Sequence, residues 1–330
     1  MSHELTLTNG LAEMAYVGDT PWHNLGQRVE RGATVDQMAI AANMTWSIGR
    51  SKVRFFGDRE GTNQLTWDQH NVLFRSDTLA PLGLVSPKFK IVHPKQVLEF
   101  FRDLCEDNSF ELETCGTLFG GRRFWALAKV GPSAVILDGA DKVGGYLLLV
   151  TACDGTLATT ARFTTICVVC NNTLSMALRG ADKGEVVVSH RSKFDASRVK
   201  DALGIAPESF AAFIKDARLL ADIPVTETAA VDLTTRLMLP DGMADLACEQ
   251  AIKIQSSSSY KSILALFEGK GRGSKLPGRE GTAWGWVNAV TEQVDHHARA
   301  ASLDNRLDSA WFGRGDALKT KAVELANQLA

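Results

Sequence analysis

The sequence predicts an α+β fold: an antiparallel β-meander packed by helices, followed by a mainly helical C-terminal part. Three observations lead there. Strand-like segments at Phe110–Leu118, Arg122–Val130, Gly145–Ala152 and Thr159–Val169 follow one another in series. The turn signals Gly120-Gly121 and Asp154-Gly155 leave no room between neighbours for the long crossovers that parallel pairing requires. Beyond Gly184 the apolar spacing becomes helical instead. The expected division is residues 1–184 for the α+β core and 185–330 for the helical part, the two packed as neighbours or as one continuous domain.

The elements follow from local chemistry. Thr34 caps a short helix over 34–43 that puts Val35, Met38, Ala39 and Ala42 on one face. Strands are expected at Lys52–Phe56, Gln64–Trp67 and Val72–Arg75, separated by Gly57, Asp58 and Gly61. Pro94 opens a helix at the position where its missing N–H costs nothing, and Val97, Leu98, Phe101 and Leu104 repeat behind it. The apolar strand ending near Cys170 is expected to turn through Asn171 and Asn172 into a helix from Thr173 to Leu178, stopped by Gly180. Phe210, Phe213, Ile214 and Ala217 form the stripe of a helix over 209–220. Further helices are expected at 226–239, 242–254, 260–267, 282–300 and 316–329, with Ser256–Ser259 as a turn and Gly269–Arg279 as a loop.

Composition narrows the function classes. A chain of 330 residues with 45% apolar and 22% charged residues is globular, and its net charge of −2 gives no global attraction to nucleic acid or membrane. The start of the chain has neither the basic nor the apolar region of a secretory signal, and the longest apolar run is too short to span a bilayer. Six cysteines without a compact framework read as reduced thiols, so a cytoplasmic protein is expected.

Catalytic patterns are missing: there is no GxSxG elbow, P-loop or strand-borne GxGxxG. Cys167 and Cys170 have dithiol spacing, yet a structural zinc site needs a second such pair, so buried inert thiols are the reading. Glu292 and His296 share a helix face, but no matching pair exists on another helix; no metal or cofactor is implied. The feature with chemical direction is charge. Lys270, Arg272, Lys275 and Arg279 lie on a glycine-rich loop able to track a phosphodiester backbone. Of Trp284 and Trp286, two apart on the following helix, one is expected in the core and the other partly exposed; an exposed Trp286 beside the loop would stack on bases of a single strand.

Several motifs together resemble a phage/plasmid-like protein family of unknown function, a domain found in phages, prophages and plasmids. They are Pro21-Trp22-His23-Asn24-Leu25-Gly26, Cys170-Asn171-Asn172-Thr173-Leu174, Gly281-Thr282-Ala283-Trp284 with Asn288 through Glu292, and Trp311-Phe312-Gly313, with His190 between. In that family's block an Arg stands where this chain has Cys167. The resemblance implies a mobile-element origin and supplies no catalytic residues. The expected function is therefore nucleic-acid binding in phage or plasmid DNA metabolism, with single-stranded DNA as partner, annealing or recombination as the process, and a homo-oligomer as the assembly. A second reading is an enzyme or small-ligand binder using Asn172, Thr173 and His190 around the strand-to-helix turn. A third is an assembly protein using the helices at 282–300 and 316–329.

Overall fold

The computed structural model describes residues 7–8, 10–18, 25–106, 110–137, 141–167, 173–175, 185–203, 207–240 and 248–329. In chain order these hold β1 (Leu7–Thr8), β2 (Leu11–Ala12), β3 (Met14–Val17), β4 (Gln27–Val29), α1 (Val35–Ala41), β5 (Ile48–Phe56), β6 (Gln64–Arg75), β7 (Pro81–Val85) and α2 (Pro94–Glu106). The meander follows as β8 (Phe110–Leu118), β9 (Arg123–Val135), β10 (Lys142–Ala152) and β11 (Thr159–Cys167), then β12 (Thr173–Ser175) and β13 (Glu185–Val188). The helical part comprises α3 (Ala196–Leu203), α4 (Pro207–Asp222), α5 (Glu227–Met238), α6 (Cys248–Ser256), α7 (Ser258–Ala265), α8 (Ala283–Glu292), α9 (Leu303–Phe312) and α10 (Arg314–Asn327).

The strand order β12-β11-β10-β9-β8-β3-β4, with β13 also on β11, is the expected meander extended at both ends. In it β11 pairs antiparallel with β12 and with β13, and β8 antiparallel with β9 and with β3, whereas β3 and β4 are parallel. A second, three-stranded sheet has the order β5-β6-β7. One expectation fails. Thr173–Ser175 is not a helix but a strand, pairing Thr173, Leu174 and Ser175 with Ile166, Thr165 and Thr164. Threonine and leucine at a free sheet position gain ladder hydrogen bonds there, and the local helix signal is too short to compete. The expected turn at Asn171–Asn172 and the remainder of the helix to Leu178 lie outside the described residues.

The chain divides into two compact units. The first comprises residues 1–131, 147–162 and 185–205; the second comprises 132–146, 163–184 and 206–330. In the first, α1 begins at Thr34, whose hydroxyl accepts from Gln37 N–H while Gln37 reaches back to the Thr34 N–H, satisfying two helix-end donors at once. Glu13 is fully buried, and its carboxylate accepts from both Arg75 Nη atoms at 2.9 and 2.8 Å, from Thr117 Oγ1 at 2.5 Å and from Asn43 Nδ2 at 2.7 Å. A buried carboxylate persists only when it is paired and hydrogen-bonded in this way. The Arg75 guanidinium also lies 4.3 Å over the Trp46 ring.

In the second unit α8 packs against α4, α7 and α10. All ten of its residues, Ala283 to Glu292, are buried. A helix buried on every face offers no surface of its own to a partner. It is also shorter than expected: after Glu292 the backbone widens into a π-turn over Gln293–His297. Lys319 and Asp295, both buried, close this region with an ion pair at 2.9 Å.

Candidate functional site

The basic loop leaves α7 through a π-turn at Leu266–Lys270, where Gly269 has φ +126°, a conformation an L side chain rarely adopts. Its backbone is then tied down at two points. The Arg272 N–H donates to Glu292 Oε2 at 2.8 Å, and Arg279 enters the interior. There Arg279 donates Nε to Asp141 Oδ2 at 2.7 Å and Nη2 to Oδ1 at 2.5 Å, with Arg279 and Asp141 at 1% and 0% side-chain exposure. Trp284 Nε1 adds a third donor to Asp141 at 2.9 Å. This geometry is charge-assisted and bidentate, the strongest hydrogen-bonding arrangement a carboxylate has. Thr282 ends the loop and starts α8, its hydroxyl accepting from Gly285 N–H at 3.1 Å and donating to the Gly278 carbonyl at 2.7 Å. Gly285 is what lets the loop lie so close: a Cβ there would sit 1.8 Å from the Arg279 carbonyl oxygen.

Two residues expected on a nucleic-acid surface are thereby corrected. Arg279 is an internal ion-pair partner, because Asp141 neutralises it away from water. Trp286 is fully buried and donates its Nε1 to Thr234 Oγ1 at 3.0 Å, so its ring cannot reach a base. Lys270, Arg272 and Lys275 are exposed, as a phosphate contact requires. Their surroundings are not purely basic: Lys275 shares a cleft of about 190 Å³ with Glu227, Glu268 and Glu280.

The motif residues find structural roles. Trp284 and Glu292 anchor the loop as described, and Asn288 Nδ2 donates to the Trp284 carbonyl at 2.9 Å. His190, in the first unit, stacks on Phe89 at 4.3 Å between ring centroids. Its Nδ1 lies 3.0 Å from the Lys90 carbonyl oxygen and its Nε2 3.1 Å from that of Leu157, so both ring nitrogens are engaged with backbone. Trp22, His23, Cys170 and Asn172 lie outside the described residues, and of Thr173 only the strand backbone is described. Among the described residues no group of three or more His, Cys, Asp or Glu is placed to hold a metal, and no helix is long and apolar enough to cross a membrane.

One surface escaped the sequence reading. On the β5–β6 hairpin, Phe55, Phe56 and Trp67 are 48%, 57% and 42% exposed. The signal was present in Arg50-Ser51-Lys52-Val53-Arg54-Phe55-Phe56, where every second residue is cationic until Phe56. A strand with a cationic face and an apolar face resembles an ordinary half-buried strand until one asks what covers the apolar face.

A family model described as Domain of unknown function (DUF932) matches residues 81–311. No curated protein and no solved structure matches the chain.

Proposed function

The chain belongs to the DUF932 family, a domain of unknown function, and from that footing we propose that it binds single-stranded nucleic acid in phage or plasmid DNA metabolism, in strand annealing or recombination, as a homo-oligomer. The observation that carries this reading is the display of Lys270, Arg272 and Lys275 on a loop whose backbone is fixed by Glu292 and by the buried Arg279. Cations on an ordered loop lose less freedom on meeting phosphates than cations on a loose one. The motifs that resemble phage and plasmid proteins supply the setting.

The electrostatics make this a weak, salt-sensitive site. Three phosphate contacts to a single strand correspond to a slope of about −2 in log K against log salt, or roughly 20-fold lower affinity between 50 and 200 mM salt. Glu268 and Glu280 beside the loop reduce the attraction further. Fluorescence anisotropy with a labelled single-stranded oligonucleotide tests the reading: binding at micromolar protein that weakens with salt, and that is weaker and less salt-dependent in the Lys270→Ala/Arg272→Ala/Lys275→Ala variant, is expected. Absence of binding at low salt ends it. Light scattering tests the assembly, which a monomer at all concentrations would contradict.

A further inference from the structure

The β5–β6 hairpin outruns its sheet. β7 pairs with β6 only from Asn71 to Phe74, so the distal part, where Val53 to Phe56 pair with Trp67 to Gln64, is a two-stranded ribbon. Two-stranded ribbons are marginal in water, yet this one is braced. At its tip Asp58 accepts from Thr62 N–H at 3.0 Å, Thr62 Oγ1 at 2.7 Å and Asn63 N–H at 2.7 Å. Along its length Lys52 pairs with Asp68 at 3.0 Å and Arg54 bonds Gln64 at 3.2 Å.

Its two faces differ. Strand alternation places Arg50, Lys52, Arg54 and Phe56 on one face, with successive cations about 7 Å apart. The register places Val53 opposite Trp67 and Phe55 opposite Leu65 on the other. Among the described residues Arg50 is bonded to the neutral carbonyls of Pro87 and Phe89 and to no carboxylate, and it draws the segment bearing Lys88 and Lys90 alongside. Residues 50–70 and 86–90 together hold six Lys and Arg against three Asp and Glu, a formal +3 in a chain whose total is −2.

We propose that this ribbon is a second nucleic-acid contact, a base-stacking arm for a single strand, with the cations of β5 taking phosphates and Phe56, Phe55 and Trp67 taking bases. Only a partner that offers both negative charge and flat apolar faces matches the ribbon's make-up. A second copy of the chain would bring the same excess positive charge against it. An anionic lipid surface would cover one face of the ribbon, whereas exposed rings stand on both. The inference rests on the nucleic-acid reading above but places the contact on the other unit, so the two can fail separately.

The test compares the wild-type chain, the loop variant Lys270→Ala/Arg272→Ala/Lys275→Ala and the arm variant Phe56→Ala/Trp67→Ala by anisotropy with a labelled single-stranded oligonucleotide. Circular dichroism confirms that each variant is folded. Loss of a stacked base weakens binding roughly 5- to 150-fold, and that is expected of the arm variant. Photocrosslinking of a bromouracil-substituted oligonucleotide to the unaltered protein, with peptide mapping, should mark residues within 52–69 and does not depend on the variant's folding. Unchanged affinity of the arm variant together with no crosslink in the arm overturns this inference and leaves the loop reading intact. No binding by the wild-type chain overturns both. Binding to anionic vesicles without binding to the oligonucleotide assigns the arm to a lipid surface and overturns it as well.

Discussion

Arg279→Ala separates two accounts of the same residue. As a phosphate contact, Arg279 would contribute to binding and leave folding untouched. The structure instead buries it against Asp141 through two charge-assisted hydrogen bonds, with Trp284 Nε1 as the third donor. Removing the guanidinium leaves a fully buried carboxylate without its cation, and breaking one partner of a buried pair costs about 3–5 kcal/mol. Replacing both charges by apolar groups, as in Asp141→Leu/Arg279→Met, removes the uncompensated ion and leaves the Trp284 N–H without its acceptor, about 1–3 kcal/mol. The double variant should therefore be more stable than Arg279→Ala by about 2 kcal/mol, a coupling readable in a double-mutant cycle. Thermal unfolding is the assay. For a domain of this size Arg279→Ala should lower Tm by roughly 6–20 °C, and the double variant should recover about half of that. If Arg279→Ala melts like the wild type, or the double variant is the less stable, the buried-pair argument is refuted.

Three further predictions concern the same framework. Gly285→Ala forces a Cβ to 1.8 Å from the Arg279 carbonyl oxygen, which is backbone and cannot swing aside; overpacking of this kind costs about 1–3 kcal/mol or more, seen as a lowered denaturation midpoint, and a fully stable variant would contradict the close approach. Glu292→Ala removes the acceptor of the Arg272 N–H, so cleavage by trypsin after Lys270 and Arg272 should accelerate, whereas Glu292→Gln, which keeps an acceptor, should resemble the wild type. The last is a pH effect in the first unit. His93 Nδ1 accepts from the Ile48 N–H at 3.1 Å, and burial pushes its pKa below the ordinary histidine value. The unfolded chain then binds more protons, so stability is full above the unfolded pKa near about 6.5 and falls as pH drops through it toward the lower folded value. Denaturation midpoints between pH 7.5 and 5 should show that fall and His93→Asn should flatten it; a midpoint rising as pH drops would reverse the sign.

What was legible in the sequence was local. Gly120-Gly121 and Asp154-Gly155 announce tight turns, and the meander they imply is there; Thr34, Pro94 and the stripe from Phe210 to Ala217 place α1, α2 and α4 within a few residues. What was not legible depends on distance. Arg279 reads as a loop cation until Asp141 arrives from 138 residues away. Trp286 was split from Trp284 by helical spacing, but α8 is apolar or small on nearly every side, and that all-round character is the mark of a helix enclosed by others. Thr173–Ser175 belongs to a strand because β11 presents a free edge, which no window of a few residues reveals. Phe55, Phe56 and Trp67 sit in strands that were expected, but their exposure goes with a ribbon that runs past the end of β7, which no local pattern reveals.

The central claim, that Lys270, Arg272 and Lys275 meet the phosphates of a single strand, is tested most directly by the salt dependence of oligonucleotide affinity in the wild type and in the triple alanine variant. Removal of three phosphate contacts should make the slope of log K against log salt shallower by about 2. An unchanged slope, with both proteins folded, would contradict it.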